Sequence, residues 1–365
     1  MTKLIFCILV VMVLLTTGGG TTDDKSNGTV TITDLLGRTV SIANPVNSVV
    51  LTFYFEEYVA IEGGKNPFER VAGWNRGYWE GRRPKIWETF KSAFPEINDI
   101  PDVGYINKGT FNAEKVISLH PDMVIMYPTD YELARDDVAK LDKAGIPVVV
   151  VDYHSETLEA YTESTMLLGK ILDREERAQK VMDFYREQVE KVTSRLGSLH
   201  GSKPKVYMEY GNLGPSEYGG TFGRNYMWGG VVDKCRGINI AEEAVETGKS
   251  SAISPEYLLK QNPDVIIMTS NVDMGYGAMQ NDVNEWLKSF MQRPGWNDLN
   301  ASKNGRVYAI DHGLCRSLHS FFAVQCVAKC LYPEEFKDLD PAENYREFHK
   351  KFLPVEYSGL WIASI

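Results

Sequence analysis

Two stretches of the chain concentrate side chains suited to gripping large, electron-rich ligands. GWNRGYWEGRRPKIW (residues 73–87) holds Trp74, Arg76, Tyr78, Trp79, Arg82 and Arg83, and SEYGGTFGRNYMWGG (residues 216–230) holds Tyr218, Arg224, Tyr226, Met227 and Trp228. Aromatic faces pack on bulky rigid ligands, and guanidinium groups pair with carboxylates or the anionic oxygens of a chelate. Tyr54, Tyr127 and Arg316, each downstream of an apolar strand-like run, join the set of expected ligand contacts. The glycines of the second stretch fit neither GxxxxGK[ST] nor a GxGxxG placed directly after a strand, so they read as admitting backbone close to a ligand rather than cradling a nucleotide.

Two other chemistries compete for neighbouring residues. His154, His312 and His319, with Asp152 and Cys315 nearby, offer an alternative site for a free transition-metal ion. His120 reads as a turn residue, and His200 and His349 as surface. Asp311 and His312 with Ser317 form the raw material of a secreted hydrolase, a remote reading because the chain contains neither a G-x-S-x-G elbow nor HExxH.

The elements that must position these residues come from a repeat. FNAEKVISLHPDMVIM begins at residue 111 and ISPEYLLKQNPDVIIM at residue 253; each runs from a helix-period segment through a Pro-Asp turn into an apolar strand. The predicted helices are Ala113–Leu119 and Pro255–Gln261, and the strands Met123–Met126 and Val265–Met268. Further strands are expected at residues 48–54, 146–153, 205–210 and 306–311, with helical material between them. Short apolar strands alternating with helices describe a parallel sheet covered on both faces, once per half. The fold class is therefore α/β, with two similar Rossmann-like lobes. Between Glu156 and Leu196 apolar residues recur at helical spacing, with Asp173 to Glu175 as a potential break, so a stiff backbone helix is expected to join the lobes. The expected boundaries are residues 30–155 for the N-terminal lobe, 156–197 for the helix, 203–352 for the C-terminal lobe and 353–365 for a tail. Ligands bind such sheets beyond the carboxyl ends of the strands, which places the site between the lobes.

The 365 residues suffice for two cores, and the net charge of −10 repels nucleic-acid backbones and anionic lipid. Lys3, the apolar run Leu4 to Leu15 and the small residues that follow read as a signal peptide over residues 1–22, hence an exported protein, periplasmic or extracellular; retention as an anchor stays open. No cysteine stands where a lipid would be attached. Cys235, Cys315, Cys326 and Cys330 read as buried thiols, with disulfides left open.

DLLGRTVSIANPVNSVVL, the paired AEKVISLHPDMVI and PEYLLKQNPDVII, YGGTFGRNYMWGGVVDKCRGINIAEE and VAKCLYPEEFKDLD together resemble the substrate-binding proteins of ABC importers for iron-siderophores, haem and cobalamin, over about residues 30 to 352. The resemblance implies a monomeric, non-enzymatic receptor with no cofactor of its own, carrying an iron or cobalt chelate between its lobes to a dimeric permease. It also implies that one glutamate per lobe, at the positions of Glu114 and Glu256, docks onto the permease.

Overall fold

The computed structural model describes residues 28–365. The expected signal peptide, residues 1–22, lies outside them. A hairpin of β1 (Gly28–Thr33) and β2 (Thr39–Asn44) leads into the first lobe. There β3 (Val49–Leu51), α1 (Phe55–Glu62), β4 (Val71–Trp74), α2 (Arg76–Arg82), α3 (Pro84–Ala93), α4 (Ala113–Ser118), β5 (Met123–Met126), α5 (Pro128–Leu133), α6 (Arg135–Lys143) and β6 (Val148–Val150) follow in chain order. The sheet runs β4-β3-β5-β6, all parallel. Residues 73–87, the first stretch rich in aromatic and arginine side chains, form the end of β4 and two helices. Asn75 caps α2 by accepting from the Tyr78 N–H at 3.1 Å, and Pro84 opens α3 with a preset φ.

The linker is two helices rather than one rod. α7 (Leu158–Leu172) ends at Asp173, whose left-handed φ of 59° breaks the run, and α8 (Glu175–Leu196) restarts after it. They pack so closely that a Cβ on Gly169 would lie 2.5 Å from the Ala178 Cβ. Stiffness comes from this pairing, since α8 alone spans about 33 Å.

The second lobe contains β7 (Lys205–Tyr210), β8 (Thr221–Phe222), α9 (Trp228–Lys234), β9 (Ile238–Asn239), β10 (Ser250–Ser251), α10 (Pro255–Gln261), β11 (Val265–Ser270), α11 (Gln280–Phe290), α12 (Asn300–Lys303), β12 (Val307–Asp311), α13 (Ser320–Leu331), α14 (Pro341–Phe352) and β13 (Ile362–Ser364). Its sheet runs β13-β12-β11-β7-β9, parallel except for β13. The segment expected as a tail therefore supplies an edge strand, pinned by the buried Trp361. All four described cysteines are free and buried.

The repeat has a structural purpose in both lobes. Asn112 and Ser254 cap α4 and α10 through Lys115 N–H at 2.8 Å and Tyr257 N–H at 3.2 Å. His120 and Asn262 occupy equivalent left-handed positions, with φ of 48° and 47°. The turn aspartates then set register: Asp122 accepts the Asn47 and Ser48 N–H groups ahead of β3, and Asp264 accepts the Lys205 N–H of β7.

Gly169→Val should lower the thermal midpoint, because overpacking α7 against α8 costs about 1–3 kcal/mol. Adding Ala178→Gly should restore part of the loss in calorimetric melting; no rescue would mean the close approach is not the cause.

Candidate functional site

The strand ends of both lobes converge on a cavity of about 380 Å³. The N-terminal lobe contributes Phe53, Tyr78, Arg82, Tyr105 and Tyr127, and the C-terminal lobe Tyr210, Phe222, Tyr226, Met227, Asn271, His312 and Arg316. Larger hollows of about 560 and 610 Å³ draw on the C-terminal lobe and tail alone.

On the first wall Phe53 is a hub, its ring 5.0 Å from Tyr78, 5.3 Å from Tyr127 and 5.6 Å from His154. Tyr127 stacks on His154 at 4.5 Å and 7°. Asn107 fixes the Tyr127 hydroxyl at 2.9 Å and donates also to Asp130 at 3.1 Å. Asp130 accepts from Thr52 at 2.8 Å, and burial pushes its carboxyl up to about 7 against those hydrogen bonds. Tyr54 lies behind this wall. Its oxygen accepts the Tyr153 N–H at 3.0 Å and it hydrogen-bonds His154 Nδ1. Burial first, then the Arg316 charge, press His154 well below its ordinary pKa, which keeps its ring neutral.

On the second wall the histidine tautomer is set by its partner. Thr269 donates to the Glu209 carbonyl at 3.2 Å, so at 2.8 Å its oxygen accepts from His312 Nδ1. Burial, then Arg316 and Arg83, keep His312 neutral, and its Nε2 is left as an acceptor. Tyr210 and Phe222 flank the ring at 4.5 and 5.8 Å.

Arg316 joins the two walls. Its backbone is left-handed, with φ of 56°, and its N–H is held by the buried Glu156 carboxylate, which also pairs Lys234 at 2.7 Å. The guanidinium donates to the Tyr78 hydroxyl across the cleft at 2.9 Å and lies 5.4 Å from the Phe53 ring centre. Among the described residues no carboxylate lies within ion-pair distance of it. The Glu56 and Asp311 carboxylates sense its charge without pairing with it, so the guanidinium keeps hydrogen-bond donors to spare.

Of the expected contacts, Tyr78, Arg82, Tyr127, Tyr226, Met227 and Arg316 line the cavity, with Arg82 at its exposed mouth. The others do not. Trp74 and Trp79 pack into the lobe core around Phe55, at 5.8 and 4.3 Å, and Trp228 is fully buried. Large indoles are stabilised more by burial than by a wet cleft. Arg83 turns inward to Glu56 and Asp311. Arg224 is exposed and pairs Glu242. Tyr218 covers the Arg293 guanidinium at 4.1 Å and accepts the Trp296 N–H. That arginine braces the loop behind the second wall: it pairs Glu209 in bidentate fashion at 2.7 and 2.9 Å and donates to the Pro215 and Glu217 carbonyls.

The three histidines do not converge. His319 bonds Tyr345, and His349, read as surface, is buried with its Nε2 against the Tyr276 hydroxyl. Among the described residues no group of three or more His, Cys, Asp or Glu side chains could hold a metal. The triad candidates are also engaged elsewhere: Asp311 with Arg83, His312 with Thr269, and Ser317 with the Leu314 carbonyl. Tyr210 and Asn271 escaped the sequence reading although each stands at a strand end where ligands bind; Tyr105, delivered by an irregular turn, carried no such signal.

The family model described as periplasmic binding protein matches residues 63–313. A solved TroA-like periplasmic binding protein, FepB from Veillonella parvula, is 36% identical with a TM-score of 0.84; the match covers 92% of this chain and 99% of that one. The ABC transporter substrate-binding lipoprotein YvrC of Bacillus subtilis, itself uncharacterized, is 27% identical over 68% of this chain and 74% of its own length. The iron(3+)-hydroxamate-binding protein FhuD of the same organism is 28% identical over 59% of this chain and 62% of its own.

Arg293→Met should cost about 3–5 kcal/mol in denaturant unfolding because it strands the Glu209 charge in the interior, whereas Arg224→Met at the exposed pair should cost at most about 1 kcal/mol. Equal costs would refute the brace. Acid should also act on single buried groups with opposite signs. Burial presses His319 and His349 down to about 3, so between their ordinary value near 6.5 and pH 3 the unfolded chain binds protons that the native one refuses. Each histidine then removes up to about 1.4 kcal/mol per pH unit. The buried carboxyls of Asp311, Asp130 and Glu57, raised to about 6, 7 and 8, act in the opposite sense, favouring the fold as pH drops. Unfolding curves of His319→Phe should lose stability less steeply over pH 6.5–3 than wild type; parallel curves would mean His319 takes up its proton in the native state.

Proposed function

The chain belongs to the periplasmic binding protein family, the solute-binding proteins of ABC importers, and from that premise we propose that it captures one anionic metal chelate, foremost a ferric siderophore, between its lobes. The observation that carries the reading is Arg316, a guanidinium without a carboxylate partner, set in a cavity walled by tyrosine and phenylalanine rings. That combination suits a large aromatic or oxygen-rich anion. FhuD, by its name a binder of an iron(3+)-hydroxamate, supports the ligand class. The cavity of about 380 Å³ sits at the low end of the ~300–1,000 Å³ typical of ligand pockets, which favours a compact chelate over haem or a corrinoid.

Delivery uses the other face of the repeat. Glu114 and Glu256 stand exposed in the first turns of α4 and α10, one on each lobe, and serve as the two docking points for a dimeric permease. The leader over residues 1–22 places the receptor outside the cytoplasmic membrane, where it acts as a monomer. No described helix is long and apolar enough to cross a membrane.

Titration calorimetry of the protein lacking residues 1–22 with ferric catecholate, ferric hydroxamate, ferric citrate, haem and cobalamin should give one site per chain, tightest for an anionic ferric chelate. Tight binding of bare Fe(III) or Ni(II) without a chelator would overturn the reading. Glu114→Lys and Glu256→Lys should leave chelate affinity unchanged while weakening reconstituted uptake, since losing a desolvated charge pair costs about 2–5 kcal/mol. Normal uptake by the double variant would reduce both glutamates to helix-dipole partners worth about 0.3–1 kcal/mol.

A further inference from the structure

Arg83 stands at the junction of α2 and α3, buried and not among the residues that line the cavity. Nη1 donates to Glu56 of α1 at 2.8 Å, within its own lobe, and Nη2 donates to Asp311 at the end of β12, in the other lobe, at 3.2 Å. Asp311 in turn accepts the Gly313 N–H at 2.9 Å. Glu57, the next carboxylate of α1, accepts the Leu318 N–H at 3.2 Å. Glu156, just ahead of α7, accepts the Arg316 N–H. The loop from Asp311 to Leu318 is thus fastened at both ends and in the middle by side chains from outside the C-terminal lobe. It carries His312 and Arg316, two cavity residues of that lobe. Gly313 lies so near Arg83 that a Cβ would come within 2.1 Å of Nη2, so the guanidinium is seated in a slot made by missing side-chain volume.

We propose that Arg83 is an inter-lobe latch and a positioning residue: by bridging Glu56 and Asp311 it holds the lobes together without ligand and keeps the 311–318 loop in the shape that presents Arg316. Opening the lobes would have to part Arg83 from Asp311, Glu57 from the Leu318 N–H and Glu156 from the Arg316 N–H together, which makes the open form a minority state. A receptor already in its binding form loses none of its affinity to a population shift, and weakening the latch lowers apparent affinity by the fraction of time the loop is misplaced. The latch builds on the reading of the cavity as the ligand site, yet its test needs no ligand, so failure of one is separable from failure of the other.

Hydrogen exchange of the ligand-free protein lacking residues 1–22, read by mass spectrometry, tests it on Arg83→Met, Arg83→Lys and Asp311→Asn. The amides of residues 312–318 should exchange about tenfold faster than in wild type while those of β11 keep their protection, and the radius of gyration in solution scattering should grow. Arg83→Lys keeps the charge but lacks the two-armed reach, so it should fold and still loosen the loop. If Arg83→Met does not fold, Arg83→Lys and Asp311→Asn give the same readout. Unchanged exchange at 312–318 in the folded variants, or equal acceleration throughout β11, would overturn the proposal, the second outcome showing a contribution to global stability alone.

Discussion

A charged guanidinium held at the seam of two lobes with no carboxylate beside it is the constraint on which the site depends. Arg316 is kept there by a left-handed backbone whose N–H is taken by Glu156, by the Tyr78 hydroxyl opposite and by the Phe53 ring beneath. Strained backbone and an unpaired charge both cost free energy, and they persist only where surrounding contacts over-determine them. Those contacts come from the N-terminal lobe and the linker, so groups outside its own lobe hold the guanidinium where it faces the cavity.

The same charge organises its neighbours. Together with burial it keeps His154 and His312 neutral, and Thr269 then leaves His312 with a bare Nε2. Behind the first wall Asn107 and Asp130 hold Tyr127, and behind the second Arg293 and Glu209 hold the loop through residues 214–219. Polar groups inside each lobe thus set the shape of a cavity they do not touch.

Much of this was legible in the sequence because it depends on local periodicity. The doubled helix, Pro-Asp turn and strand marked two α/β lobes, and the structure adds that Asp122 and Asp264 tie each repeat to its neighbouring strand. The strand-end rule located the cleft. What composition could not separate was a tryptophan that lines a cleft from one that fills a core: Trp74, Trp79 and Trp228 stand beside true cavity residues in the chain and go the other way. Arg83 and Arg316 differ in the same manner, one satisfied by Glu56 and Asp311 and the other by no carboxylate, because counter-ions far away in sequence decide which arginine is free. The break in the linker at Asp173 was visible as a possibility, but the packing of α7 on α8 that compensates for it is tertiary.

The central claim is that Arg316 waits for an anion. The direct measurement is the affinity of wild type and Arg316→Gln for two ferric chelates of similar size, one anionic and one neutral. Wild type should favour the anionic chelate, and the substitution should weaken it by about 2–5 kcal/mol while changing the neutral one far less. Equal losses for both chelates, or no loss for either, would contradict the account.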